Sequence, residues 1–268
     1  VEKEIAELFT KLRYKKPLVH QITNFVTMND CANVTLAIGA SPVMASNPSE
    51  AGEMAMLSEA LVINIGTLQS ESFDGMMAAG KAANSKGIPV VFDPVGAGAT
   101  AYRTDCAMKM MKEITPAIVR GNASEMNRLI GGHSITKGVD AVHVALSNAD
   151  IARTVAATYH CIAVVSGEED AVSNGKHTYL IQNGHSMLTR VTGTGCMSSA
   201  LIGCFAALSM NHLHSAVAGI SLMGIAGELA AASLSDEEGT GTFRVRLVDF
   251  ISRMSAEMWL EGVRIIEA

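Results

Sequence analysis

The chain has 268 residues, 49% of them apolar and 17% charged, a composition that excludes disorder as its main state. A chain of this length buries roughly 70–75% of its unfolded surface without needing disulfides or metals as staples. Twenty basic against twenty-six acidic side chains leave a net charge of −6, which argues against a nucleic-acid binder that depends on a basic face.

Ile5, Leu8, Phe9 and Leu12 recur at helical intervals and predict a helix over 2–14, ended by the region of Pro17. Residues 18–23 read as a short strand and 24–38 as a helical stretch closed at Gly39. The short apolar run 42–46 precedes Asn47-Pro48, a helix start with proline near the first position. A rhythm follows, with strands at 60–66, 88–93, 117–121 and 161–166 and helices at 70–86, 102–113, 122–130 and 150–159. Continuous apolar strands alternating with helices predict a mostly parallel sheet covered on both faces. The polar stretch 168–190 carries Asn174-Gly175 and Asn183-Gly184 and predicts one or two hairpins at the sheet edge. The last eighty or so residues read as almost entirely helical. No linker or repeat is visible, so 1–268 reads as a single α/β domain, a three-layer αβα sandwich.

Residues 191–227 contain no Asp, Glu, Lys or Arg, but Asn211, His212 and His214 interrupt them, with Gly193, Gly195, Gly203, Gly219 and Gly224. Two helices buried in a large core are expected there rather than a membrane span. Val1-Glu2-Lys3-Glu4 opens a charged segment, so no signal peptide is expected. Cys31, Cys106, Cys161, Cys196 and Cys204 are odd in number and form no CxxC pair. Neither a disulfide nor a zinc framework is expected, and a reducing, cytoplasmic compartment fits.

In open α/β sheets ligands gather beyond the carboxyl ends of the strands. Thr192-Gly193-Thr194-Gly195-Cys196 stands directly before a long helix. Two glycines one residue apart let backbone amides converge, and the helix adds its positive end, a combination that binds phosphate. Cys196 then falls in the first turn, where the dipole favours a thiolate. A glycine-rich turn with a structural cysteine is the plainer reading of this stretch alone. Asp93 and Glu125, at the ends of adjacent strands, suit Mg²⁺ held through water, against the plain alternative of a capped loop and a solvated acid. Arg120 suits a phosphate clamp, or a salt bridge at the sheet rim. Asn122 and Glu125 also have the spacing of a helix capping box. The histidines are scattered and are expected to be structural or superficial, and the methionines and Trp259 to be packing.

The stretches PVMASNP, INIGTL, FDPVGAGAT, RGNASE, VSGEED and TRVTGTGCMSSALI occur in this order. Together they closely resemble the hydroxyethylthiazole kinase family of the ribokinase-like superfamily, from about Pro17 to the C-terminal helices. GTGC is the most specific of them, because most ribokinase-like enzymes carry Asp at its last position. The resemblance implies a ribokinase-like sandwich and ATP-dependent phosphorylation of 4-methyl-5-(2-hydroxyethyl)thiazole for thiamine synthesis. It also implies Mg²⁺ and a homotrimer with sites at subunit boundaries. By position it implies that Asn24, Met44 and Gly193 contact the thiazole. It likewise implies that Arg120 and Ser166 contact ATP, with Thr194 and Gly195 expected in the phosphate cradle, that Asp93 and Glu125 serve the metal, and that Cys196 lies beside the reacting hydroxyl as a modest base or a pocket wall. A covalent cysteine mechanism is a rival, as are a hydroxymethylpyrimidine kinase and a regulatory nucleotide binder. A Rossmann dehydrogenase is disfavoured because no GxGxxG follows the first strand.

Overall fold

The computed structural model describes residues 1–132 and 146–268. His133 and His143, two of the scattered histidines, lie outside the described residues. Among the described residues nine strands form one sheet: β1 (Leu18–Ile22), β2 (Ser41–Val43), β3 (Ala60–Asn64), β4 (Val90–Asp93), β5 (Ile118–Asn122), β6 (Ile162–Ser166), β7 (Asp170–Ser173), β8 (Thr178–Ile181) and β9 (Ile265–Glu267). Their spatial order is β2-β1-β3-β4-β5-β6-β7-β8-β9. The first six run parallel and the last three antiparallel. The helices are α1 (Glu2–Lys15), α2 (Met28–Ile38), α3 (Pro48–Leu57), α4 (Ser70–Lys86), α5 (Ala101–Glu113), α6 (Ala123–Leu129), α7 (Asn148–Tyr159), α8 (Thr194–Ala206), α9 (His212–Ala232), α10 (Thr240–Arg253) and α11 (Ala256–Gly262).

Alternate strand residues feed two cores. Val19, Ala60, Val62 and Val164 pack with α1, α2 and α8 to α11, whereas Leu61, Ile63, Phe92 and Val165 pack with α3 to α7. That alternation is the three-layer sandwich, and it explains why the central strands are apolar on both faces. Helix α9 is, among the described residues, the one helix long and apolar enough to cross a membrane, but 78% of its apolar window is buried inside the protein. It is a core helix, as its dilution with glycine and serine predicts. Trp259 is fully buried, and its indole N–H donates to Ser221 Oγ at 2.8 Å.

Two expectations change. The chain end is not helical, because 263–267 turn extended and β9 pairs antiparallel with β8, Ile265 opposite Ile181. Three strand residues are too few to show a period of two, so the sequence hides this edge strand. Residues 24–27 form a turn rather than the start of α2. Of the two turn signals, Asn174-Gly175 closes the β7–β8 hairpin, whereas Asn183-Gly184 leads into a short 3₁₀ turn, Ser186–Arg190.

Candidate active site

Parallel pairing brings the ends of the strands to one edge. Asn64 and Asp93 are register partners at the ends of β3 and β4, and Asn122 and Ser166 at the ends of β5 and β6. Asn24 follows β1 and Met44 follows β2 on the same edge. Facing them is the amino end of α8. Gly193 caps it with φ +85, and a Cβ there would stand 2.4 Å from Thr27 Cγ2, so both conformation and space demand glycine. The first-turn amides of Thr194, Gly195 and Cys196 have no carbonyl one turn earlier to bond.

Arg120 lies across this opening. Its Nη2 donates to Ser166 Oγ at 2.9 Å, and its Nη1 is 3.6 Å from Asp93 Oδ2. A Cβ on Gly195 would fall 2.6 Å from Nη1, so only glycine lets the guanidinium approach the helix end this closely. The guanidinium and the helix terminus are both positive and converge on one volume, an arrangement an oxyanion completes. Arg120 Nε is buried without a partner.

Asp93 is fully buried. Its Oδ2 accepts from Ser199 Oγ at 2.7 Å and Asn64 Nδ2 at 3.2 Å, while Oδ1 is buried without a partner. Burial pushes its pKa up to about 6, against the pull of Arg120 and the Ser199 hydroxyl, and the charge of Glu125 adds to the rise. Glu125 accepts the Gly96 N–H at 2.8 Å and the Asn122 N–H at 2.9 Å, and its own N–H goes to Asn122 Oδ1 at 2.9 Å. The capping box is therefore real and coexists with a place near Asp93. The free Oδ1 of Asp93 beside a second acid fits Mg²⁺, which keeps several waters and shares its shell with phosphates.

Cys196 is half-buried, whereas the other four cysteines are buried, and all five are free. Its Sγ accepts from Asn24 Nδ2 and from Asn64 Nδ2, each at 3.2 Å. Thus Asn24, Asp93, Arg120, Ser166, Gly193, Thr194, Gly195 and Cys196 form one continuous edge with Glu125 beside it. Met44 is half-buried on that edge and packs against the same core as Cys196. Its loop is held by His20, fully buried, whose Nε2 lies 2.8 Å from Ala45 O.

A cavity of 730 Å³ opens from the Arg120 side. Ser166, Thr194 and Gly195 line it beside Arg120, and Asn183, Leu188 and Met223 form the rest of its wall together with other residues of the loop after β8 and of α9. This is the size of a small-molecule site, with an apolar wall and a cationic end. Sequence reasoning missed Asn64, Ser199 and Asn183. A signal existed for Asn64, a lone polar residue closing the apolar strand ALVIN.

A ribokinase-like sandwich with a glycine-opened helix end, an arginine on the neighbouring strand, a strand-end acid and a second acid in the first turn of the next helix defines a small-molecule phosphotransferase. The sequence pattern of the hydroxyethylthiazole kinase family matches residues 9–257, and the chain belongs to that family. It is 46% identical to the hydroxyethylthiazole kinase of Ruminiclostridium cellulolyticum, covering 99% of this chain and 98% of that protein. It is 45% identical to that of Alkaliphilus oremlandii, covering 96% and 95%. The solved hydroxyethylthiazole kinase of Pyrococcus horikoshii superposes with a TM-score of 0.88 at 36% identity over 99% of each chain. A Staphylococcus aureus pyridoxal kinase in complex with AMP-PCP and pyridoxal shares the fold, with a TM-score of 0.63 at 11% identity over 94% of this chain and 98% of that one.

Proposed function

We propose that this chain transfers the γ-phosphoryl group of ATP to the primary alcohol of 4-methyl-5-(2-hydroxyethyl)thiazole, yielding the thiazole phosphate used in thiamine synthesis. The observation that carries the reading is the convergence of Arg120 and the amino end of α8 beside Cys196. The nucleotide lies in the 730 Å³ cavity with its phosphates toward Thr194 and Gly195. Ser166 contacts it and fixes Arg120.

Phosphoryl transfer proceeds through a loose transition state, so positioning and charge neutralisation outweigh a strong base. Arg120 and the amides of Thr194 to Cys196 hold the equatorial oxygens as charge develops. Asp93 and Glu125 would hold Mg²⁺ through water, and the ion would neutralise phosphate charge there. Cys196 Sγ sits beside the attacking hydroxyl and accepts its proton late or walls the pocket. Asn24 keeps that sulfur in place, and Met44 with Gly193 bounds the neutral ring, which needs an apolar slot more than charge.

The catalytic unit is a single domain acting as a homotrimer, with the ring site completed at the subunit boundary. Exposed Phe25 and Val26, directly after Asn24, support this. Five unpaired cysteines support a reducing, cytoplasmic setting. The test is incubation with ATP, Mg²⁺ and the thiazole alcohol, read by mass spectrometry. The ester should form in step with ADP. ADP without ester, or ester on a pyrimidine alcohol alone, would overturn the assignment.

A further inference from the structure

We infer that Asn64 is a positioning residue that locks Cys196, Asp93 and Asn24 into one reactive unit; this deepens the kinase reading and rests on it. Asn64 is 1% exposed and closes β3, whose other four residues are buried and apolar. A primary amide offers two lone pairs and two N–H groups. All four are used. Oδ1 accepts from Asn24 Nδ2 at 3.0 Å and from the Gly66 N–H at 2.9 Å. Nδ2 donates to Asp93 Oδ2 at 3.2 Å and to Cys196 Sγ at 3.2 Å.

The orientation has no alternative. The Gly66 N–H can only donate, so the Asn64 atom facing it is the oxygen, and Nδ2 must then face Asp93 and Cys196. The same logic fixes Asn24, whose Oδ1 accepts the Thr27 N–H at 3.2 Å. Cys196 Sγ therefore meets two amide N–H donors that cannot turn into acceptors. Its own hydrogen points away from that pair, leaving the sulfur directed by Asn24 and Asn64 together. On the other side Asn64 shares Asp93 Oδ2 with the Ser199 hydroxyl, and so holds the carboxylate whose Oδ2 faces Arg120. One neutral side chain thus sets which face of the sulfur is available and helps to hold the acid beside it. It touches neither substrate in this reading and acts through its neighbours.

Asn64→Asp is the sharpest test, because it keeps the shape and reverses the polarity. It turns a lone pair toward Sγ and brings a second carboxylate against Asp93. The expected result is a fall in kcat of about 10²-fold or more, with KM for ATP changed less than about threefold, since the cavity is untouched. A readout independent of turnover is iodoacetamide labelling without ligands. Cys196 is the one cysteine that is not buried, so the label reports on it, and its rate should drop at least about threefold when a donor to the reacting sulfur is lost. Should Asn64→Asp fail to fold in a thermal scan, Asn64→Ser replaces it in a double-mutant cycle with Cys196→Ser. Strong non-additivity in kcat supports action through the sulfur, and additive losses overturn it. A folded Asn64→Asp enzyme with wild-type kcat and labelling also overturns it. Absence of any thiazole phosphate from the wild type would instead strike the kinase reading, while the labelling result would still decide whether Asn64 directs Cys196.

Discussion

The ends of β3 and β4 and the cavity over β5 and β6 share one sheet edge but are built in opposite ways. At β3 and β4, neighbouring strands in register place Asn64 against Asp93, and Asn64 has no free polar atom. Around the cavity the walls come from the loop after β8, from α9 and from α8, and their positions depend on segments far away in the chain. The two regions meet at Arg120, which faces Asp93 on one side and Ser166 on the other. In the proposed function, strand register sets the chemical edge and loop placement the nucleotide wall. Variants that separate kcat from KM for ATP test that division.

The largest effect is expected where the regions meet. Arg120→Ala removes the positive group over the phosphate position and leaves Asp93 buried without its counter-charge. We expect kcat/KM to fall ~10³-fold, mostly in kcat. A loss confined to KM would place Arg120 with the cavity alone. Next comes a buried acid on the cavity side. Asp170, 9% exposed, accepts the Gly167 N–H at 2.9 Å. Burial raises its pKa from 3.8 to about 6, with the Gly167 N–H and Arg120 opposing the rise. The unfolded chain thus ionises first as pH rises, and the folded state loses stability between about pH 4 and 6, by about 3 kcal/mol in all. In urea melts, Asp170→Asn should be as stable as the wild type near pH 4 and more stable near pH 8. Parallel pH profiles would remove Asp170 from the account.

A smaller change is expected from Cys196→Asp. Asn24 and Asn64 both turn N–H donors toward this position, and a carboxylate accepts them as well as sulfur does. Activity within about tenfold of the wild type is expected in an ester-formation assay. An inactive but folded Asp variant would show that this pocket requires sulfur, and a trapped phosphocysteine in the wild type would favour covalent catalysis.

How much of this was legible follows from the same contrast. The strands ALVIN and VVFD are apolar up to their last residue because helices cover both faces, which places Asp93 at a strand end; the apolar run IAVVS likewise places Ser166, while Arg120 lies within β5. Gly193 to Cys196 announces a helix end. Asn64 shows in the sequence only as a lone polar residue closing ALVIN; its bonds to Asn24, Asp93 and Cys196, on three separate segments, leave no local pattern. Asn183-Gly184 looked like a hairpin turn because its composition is that of one; only the partner groups, remote in sequence, make it part of the cavity wall. Glu228 carried a signal, as the first charge after the uncharged stretch 191–227, but nothing near it named its partners.

Those partners give the finest test of the contrast. Glu228 Oε1 accepts the Gly184 N–H at 2.7 Å and lies 2.5 Å from Arg264 Nη2, while Asn183 Nδ2 donates to Gly262 O at 2.9 Å. The Arg264 N–H donates to Asn183 Oδ1 at 2.8 Å, and its Nη2 also reaches Gln182 O at 2.7 Å. The C-terminal segment thereby holds the loop that forms part of the cavity wall. The ion pair is partly exposed, with Arg264 half in solvent, so its charge alone contributes no more than about 1 kcal/mol. What Glu228 adds is order in the loop. Glu228→Gln keeps an acceptor for Gly184 but weakens the hold on Arg264, and KM for ATP should rise about threefold with kcat unchanged. Arg264→Ala should do slightly less, because its backbone still pairs with Asn183 and Gln182. If either variant lowered kcat and spared KM, the division between a chemical edge fixed by strands and a nucleotide wall fixed by the chain end would fail.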